Sequence, residues 1–256
     1  MADIAYSTDR ALAFIRLDRP QKLNALTPDM LATIEESIRK AEADTVLRAI
    51  VLHSEGKAFS VGADINIWSS LSPEAFRTSW IDRGHRAFDA IAHCRLPVIA
   101  AIQGMAFGGG LELALAADMR VADEDAVLAL PEVSLGTVPG WGGTQRLADL
   151  IGRSRAKQMI LTATRIPAPR AEAWGLVNAL CPPGRALESA EAMALDIARL
   201  APISVQVAKK LIDGSTGEGL SATLEMLGGM VAQATRDREE GIAALRQKRK
   251  PDFIGS

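Results

Sequence analysis

The most constraining feature of this sequence lies between residues 97 and 117. An apolar run from Pro97 to Ile102 empties into Gly104 and then into three consecutive glycines, Gly108 to Gly110. Leu111 to Ala117 follows without a break, too rich in leucine and alanine to be anything but a buried helix. A strand that turns on glycines directly into a buried helix belongs to an α/β architecture. Three glycines allow positive φ and let a ligand approach the backbone closely. The first amides of a helix also lack internal acceptors and carry the positive end of its dipole. The segment therefore reads either as a tight turn or as a site for a phosphate or a developing oxyanion. A phosphate-binding P-loop is excluded, because no Gly-Lys-Ser/Thr ending is present. The spacing of Gly104, Gly108, Gly109 and Gly110 also fits a dinucleotide fingerprint poorly.

The flanking sequence extends the same pattern. Leu12 to Leu17 and Ala49 to His53 read as strands, with further strand-like pieces at 119–122 and 126–130. Thr27-Pro28 is a helix start, an N-cap followed by proline, and Leu31, Ile34 and Ile38 supply its apolar face. Ser72-Pro73-Glu74 repeats that signal ahead of Phe76, Trp80, Phe88 and Ile91. Beyond residue 143 the character becomes helical: 147–151, 157–161, 186–200 and 203–212, interrupted by a strand-like 176–180. From Pro202 the pattern is wholly helical, with Leu220, Leu224, Leu227 and Val231 on one stripe. The expected organisation is an α/β core over 1–200 and a helical region over 201–256.

Composition removes several functional classes. Twenty-nine basic against 31 acidic residues give a net charge of −2, which argues against a nucleic-acid partner. The basic cluster Arg246, Lys248, Arg249 and Lys250 reads as a solvated helix end or an anion contact. Two cysteines, Cys94 and Cys181, outside any Cys-x-x-Cys context, read as buried free thiols. The opening MADIAYSTDR lacks the features of a signal peptide, and no apolar run approaches the roughly 20 residues of a membrane span. The expectation is a cytoplasmic protein. His53, His85 and His93 form no ligand motif, so no metal is expected.

Two carboxylates stand out against this background. Glu112 lies between Leu111 and Leu113 in the first turn of the buried helix, and Glu132 lies between Pro131 and Val133. A charge in such surroundings is costly unless paired, hydrogen-bonded or functional. Each alone reads as a capping or salt-bridged glutamate. Together, beside a glycine-rich donor site, they read as an acid–base pair with separated pKa values. Which of them holds the proton stays open. The segment Lys57 to Ile65, with small residues at Ser60, Gly62 and Ala63, is either an ordinary loop with Asp64 as a helix cap or a second backbone donor.

These residues carry a resemblance to the enoyl-CoA hydratase/isomerase (crotonase) superfamily, and within it to the hydratases. The matching features are Arg19-Pro20 with Asn24-Ala25-Leu26, Ala58-Phe59 with Gly62-Ala63-Asp64, and Pro97 through Gly104. They continue through Gly108 to Ala114, Pro131-Glu132-Val133, Pro139-Gly140, Gly143 to Leu147, and Ala173 with Gly175 to Asn178. The resemblance implies a spiral of ββα units and a helical C-terminal trimerisation region, with homotrimers often paired into hexamers. It implies an acyl-CoA thioester substrate whose enolate-like oxyanion is held by the amides of Ala63 and Gly109. It further implies Glu112 as the base that activates water and Glu132 as the donor of a proton to Cα. No cofactor is implied beyond the coenzyme A that the substrate carries.

Substrate contacts are implied at Lys22, Leu23, Ala63, Asp64, Ile65, Asn66, Gly109, Gly140, Trp141 and Phe253. Two departures bear on substrate choice. Asn66 stands where several hydratases have lysine, which weakens a CoA contact without abolishing chemistry. Trp141 stands where some have a small residue, which either limits or redirects the acyl pocket, so chain-length preference is not readable from the sequence. Trp68, Phe76 and Trp80 fall in the variable pocket wall and read as core more than as ligand contacts. Alternative readings are Δ3–Δ2 isomerisation or another acyl-CoA reaction on the same scaffold. More remote is a non-catalytic binding protein, including the RNA-binding use of one branch.

Overall fold

The computed structural model describes residues 3–214 and 218–256, and the side chains of 218–223, 225 and 232 lie outside the description, Leu220 among them. Nine strands form two sheets: β1 (Ile4–Asp9), β2 (Leu12–Leu17), β3 (Ala49–Ser54), β4 (Val98–Ile102), β5 (Met105–Phe107), β6 (Met119–Asp123), β7 (Val127–Ala129), β8 (Ile166–Pro167) and β9 (Ala179–Cys181). The larger sheet has the order β1-β2-β3-β4-β6-β9 and the smaller one the order β5-β7-β8. Only the β1–β2 hairpin is antiparallel in the larger sheet. Parallel neighbours need long crossovers. Helices Pro28–Ala43, Asp82–Ala92 and Gly109–Ala116 supply them. Because β4 and β6 join one sheet while β5 and β7 join the other, the chain winds as a spiral of ββα units, as the resemblance implies.

Strand alternation sorts the core into two sides. Ile15, Leu17, Ile50, Leu52, Val98 and Ala100 face the helices that carry Leu31, Ile34, Ile38, Phe88 and Ile91. Leu12, Ala49, Val51, Ile99 and Val121 face Ala186, Ala190 and Ala194 of helix Ala186–Ala198. Small side chains on that helix let it lie close to the sheet. Both expected helix starts are present: Thr27 Oγ1 accepts from Met30 N at 3.2 Å, and Ser72 Oγ accepts from Ala75 N at 3.1 Å. After Ser72 the helix is not uniform, since Phe76–Ile81 is π-helical before the ordinary turns of Asp82–Ala92.

Among the elements that differ from the sequence expectation, three strands are instructive. Strand β1 is missing from it because Ser7, Thr8 and Asp9 are exposed, so the strand has no apolar alternation to read. Strand β5 is only three residues long and sits between glycines. Strand β9 begins three residues later than the apolar run Leu176–Leu180. The reason is Arg120: its buried Nε donates to Leu176 O at 2.8 Å, and its backbone N–H donates to Asn178 Oδ1 at 2.8 Å. The same guanidinium donates to Ala117 O at 2.7 Å and so closes the carboxyl end of helix Gly109–Ala116.

Among the described residues from Pro202 onward there are three helices, Pro202–Asp213, Glu218–Gln233 and Arg236–Gln247. A buried Lys209–Asp118 pair at 2.7 Å ties the first of them to the sheet, and Asp118 also accepts from Val98 N. Met226, Leu227, Met230, Val231 and Leu245 remain exposed on the other two. In the basic cluster, Arg249 pairs with Glu240 at 2.6 Å. Cys94 and Cys181 are both buried and free. Among the described residues no helix is long and apolar enough to cross a membrane.

The early loop is fixed by Asn24, which is fully buried at φ 55°. Its amide donates to Glu55 O and Ala58 O at 2.9 and 2.8 Å, and its carbonyl oxygen accepts from Arg19 N at 2.8 Å. Asn24→Ala should cost about 2–4 kcal/mol in urea denaturation, since it strands buried partners and places alanine in a left-handed conformation. Asn24→Gly, which tolerates that φ, should recover the backbone share alone.

Candidate active site

The loop after β3 is built by cross-strapping. Leu26 and Ala63 form a parallel bridge in which Leu26 N donates to Gly62 O at 2.7 Å and Asp64 N donates to Leu26 O at 2.9 Å. Ser60 Oγ donates to Asn24 O at 2.7 Å, and Val61 N donates to Leu23 O at 3.1 Å. This pairing uses the neighbours of Ala63 and leaves its own N–H without an acceptor among the described residues. Gly109 opens the helix Gly109–Ala116, so its N–H has no acceptor one turn back. A methyl at Gly109 would lie 3.4 Å from Ala63 N, which places the two amides side by side. Both residues line one cleft.

Glycine is required at three points around these amides. Gly62 has φ 99°, and a methyl there would press to 2.8 Å on Phe107 O and 3.0 Å on Gly109 N. Gly108 has φ 54°, and its methyl would meet Glu132 Oε1 at 3.0 Å. At Gly109 the obstacle is an indole: a methyl would stand 2.6 Å from Trp141 Cζ3. The two backbone donors are therefore held by close packing that any side chain would disturb.

Glu112 and Glu132 flank the donors. Glu112 is buried, with Oε1 accepting from Trp141 N and Gly143 N, both at 2.8 Å. That carboxylate thereby caps the helix Gly143–Ile151 as well as facing the cleft. Glu132 opens the short turn Glu132–Leu135, and its Oε2 is buried with no partner among the described residues. Burial pushes both pKa values up. At Glu112 the amides of Trp141, Gly143 and Gly140 oppose the rise without cancelling it. At Glu132 burial leads, with its own N–H opposing and the Glu112 charge adding, and the pKa reaches about 7. The two therefore differ in their partners: Glu112 accepts two backbone hydrogen bonds through Oε1, whereas Glu132 keeps a buried oxygen that accepts none among the described residues.

The cleft around these groups holds about 100 Å³. Of the residues singled out from sequence, Ala63, Gly109, Glu112, Glu132, Gly140 and Trp141 line it together. Trp68, Phe76 and Trp80, read from sequence mainly as core, also line it, although Trp80 is itself buried in the core cluster. Lys22, Leu23, Asp64, Ile65, Asn66 and Phe253 are not on its wall. Asp64 turns its carboxylate to Arg19 at 2.7 Å and caps the turn Ile65–Trp68, where Ile65 and Asn66 are exposed. Phe253 packs over Gly241 of its own chain. Gly143, whose amide holds Glu112, was not among the expected site residues. Its position three residues before Arg146, inside the Gly143 to Leu147 motif, was the available signal.

A sequence model of the Enoyl-CoA hydratase/isomerase family matches residues 7–256. The chain belongs to that family. Among its relatives, the mitochondrial enoyl-CoA hydratase of Pongo abelii is 38% identical over 247 residues, covering 96% of this chain and 84% of that one. The 2,3-dehydroadipyl-CoA hydratase of Escherichia coli is 36% identical over 258 residues, with both chains covered completely. The crystal structure of an enoyl-CoA hydratase from Bacillus anthracis superimposes with a TM-score of 0.96 at 34% identity over both whole chains. The protein is thus an enzyme of the enoyl-CoA hydratase/isomerase family, which acts on acyl-CoA thioesters, and it has the crotonase-like fold.

The raised pKa of Glu132 makes stability depend on pH. The folded state holds this proton more tightly than the unfolded chain, so the associated stability is full below about pH 4.5. It is lost as pH rises through about 7. Glu132→Gln should therefore be more stable than the parent at pH 8, by about 1–3 kcal/mol after allowance for partial exposure. Urea midpoints at pH 5 and pH 8 measure this, and the gap should shrink at the lower pH.

Proposed function

We propose that this enzyme is an enoyl-CoA hydratase, adding water reversibly to a trans-2-enoyl-CoA to give a 3-hydroxyacyl-CoA. The observation that carries the reading is the placement of two unlike carboxyls in one cleft beside two unpaired backbone amides. The thioester oxygen lies between the Ala63 and Gly109 N–H groups, which stabilise the negative charge that develops when Cβ is attacked. Glu112 takes a proton from water as the water oxygen bonds to Cβ. Glu132 gives its proton to Cα, and the enolate collapses to the saturated thioester. Glu112 ends protonated and Glu132 ionised, so the next turnover needs their protons reset through solvent.

The remaining assignments follow the same reading. Lys22, Leu23, Asp64, Ile65 and Asn66 sit beside the donor loop, outside the cleft, where the coenzyme A portion would run. Phe253 would meet the nucleotide end, across a subunit boundary. The exposed Met226, Leu227, Met230, Val231 and Leu245 on the last two helices support a homotrimer or a pair of trimers. Buried free cysteines support a cytoplasmic setting. No cofactor enters the chemistry proposed, and no nucleic-acid partner is proposed. Among the described residues no cluster of three or more His, Cys, Asp or Glu side chains could hold a metal ion.

Loss of the crotonyl-CoA enoyl absorbance tests the assignment. Glu112→Gln should lower kcat for hydration about 10²–10⁴-fold, the range for removing a positioned acid or base. An unchanged rate in that variant, or no hydration by the folded parent enzyme, would sink the proposal. Δ3–Δ2 isomerisation that persists in Glu112→Gln would assign the protein to the sibling reaction. For the parent, kcat/KM in the hydration direction should fall as pH rises past about 7, when Glu132 gives up its proton. In Glu132→Gln that limb should be absent from whatever activity remains.

A further inference from the structure

Trp141 forms part of the cleft wall and is itself 2% exposed. The ring packs against Trp80 at 5.2 Å between centroids and edge-on to Phe88 at 5.4 Å, and Nε1 donates to Trp80 O at 3.3 Å. Two glycines make room for it. A methyl at Gly84 would lie 2.1 Å from Nε1, and one at Gly109 would lie 2.6 Å from Cζ3. The indole therefore reaches from helix Asp82–Ala92 to the oxyanion amides and fills the space between them. The 100 Å³ that it leaves is well below the roughly 300–1,000 Å³ of a pocket for a drug-sized ligand.

The charge of the wall is equally restrictive. Glu112 and Glu132 are its only ionisable side chains, and the rest is apolar except for Thr137 and backbone. Arg146, on the helix that starts beside the cleft, is already committed, donating to Trp141 O at 3.0 Å and to Asp89 Oδ1 at 2.7 Å. A carboxylate at the far end of an acyl chain would meet two acidic groups and no cationic side chain on that wall.

We infer that Trp141, seated by Gly84, is the specificity-determining floor of the acyl pocket and restricts the enzyme to short, uncharged acyl groups. This rests on the acyl-CoA reading above. The backbone N–H of Trp141 holds Glu112 whatever its side chain is, so chain-length selection and carboxylate positioning reside in different halves of one residue.

Calorimetric binding of saturated acyl-CoAs tests this without requiring turnover. Butyryl-, hexanoyl-, decanoyl- and adipyl-CoA would be titrated into the parent, Trp141→Ala and the more conservative Trp141→Leu. The parent should bind butyryl-CoA at least about tenfold more tightly than decanoyl-CoA, and hexanoyl-CoA at least about tenfold more tightly than adipyl-CoA. Both variants should raise the decanoyl-to-butyryl affinity ratio by about tenfold or more. Trp141→Leu keeps the test open if the alanine variant does not fold. Equal binding of butyryl- and decanoyl-CoA by the parent, an unchanged ratio in the folded variants, or adipyl-CoA binding like hexanoyl-CoA would each overturn the inference while leaving the acyl-CoA reading intact. Failure of all four to bind the folded parent would overturn both.

Discussion

A buried carboxyl group has to be satisfied, and the way Glu112 is satisfied organises the whole cleft. Its Oε1 draws Trp141 N and Gly143 N together, which sets the start of helix Gly143–Ile151 and the path of the turn that leads into it. The same turn delivers the indole of Trp141 against Gly109, and thereby packs the first residue of helix Gly109–Ala116. Capping and the proposed catalytic role are not competing explanations for this glutamate. Backbone donors that fix a helix start also lower the cost of ionising a carboxyl group in an apolar site.

The two glutamates show how environment separates equal side chains. Glu112 sits at the convergence of several N–H groups, whereas Glu132 keeps a buried oxygen with no donor near it. Both lose water, but Glu112 is compensated by more backbone donors than Glu132. The neighbouring charge then adds to the reluctance of Glu132 to ionise. The amides of Ala63 and Gly109 complete the centre with groups that side-chain replacement does not delete, and whose position depends on distant straps such as Leu26 and Asn24.

Much of this was legible in the linear sequence, for identifiable reasons. Thr27-Pro28 and Ser72-Pro73 are local capping signals, and both operate as read. The strands around Ile50 and Ile99 declare themselves because both of their faces are buried. Strand β1 could not be read, since its stabilisation comes from pairing with β2 rather than from an apolar face. Glu112 and Glu132 were conspicuous as acids among leucine, proline and valine. The difference between their environments was not, because it depends on amides from residues 140–143, which are remote in sequence from Glu112. Likewise Trp80 could be read as core or as pocket, and it is both, since the cleft is cut into the core itself. The outer contacts, from Lys22 to Asn66 and at Phe253, are exposed or packed within the chain, and their roles come from resemblance alone.

The π-helical stretch Phe76–Ile81 forms part of the cleft wall and supplies the Trp80 carbonyl that meets the indole. A wide turn carries one residue more than an ordinary helical turn needs. Because the extra residue is absorbed within the turn, deleting it would restore an ordinary helical turn and leave the flanking elements nearly in register. The change would fall on the turn itself, which carries Phe76, Trp80 and Ile81 of the cleft wall, while the strands and both glutamates stayed in place. The enzyme thus carries an adjustable margin on one side of a fixed chemical centre, where a change in chain length alone can redraw the cavity's outline.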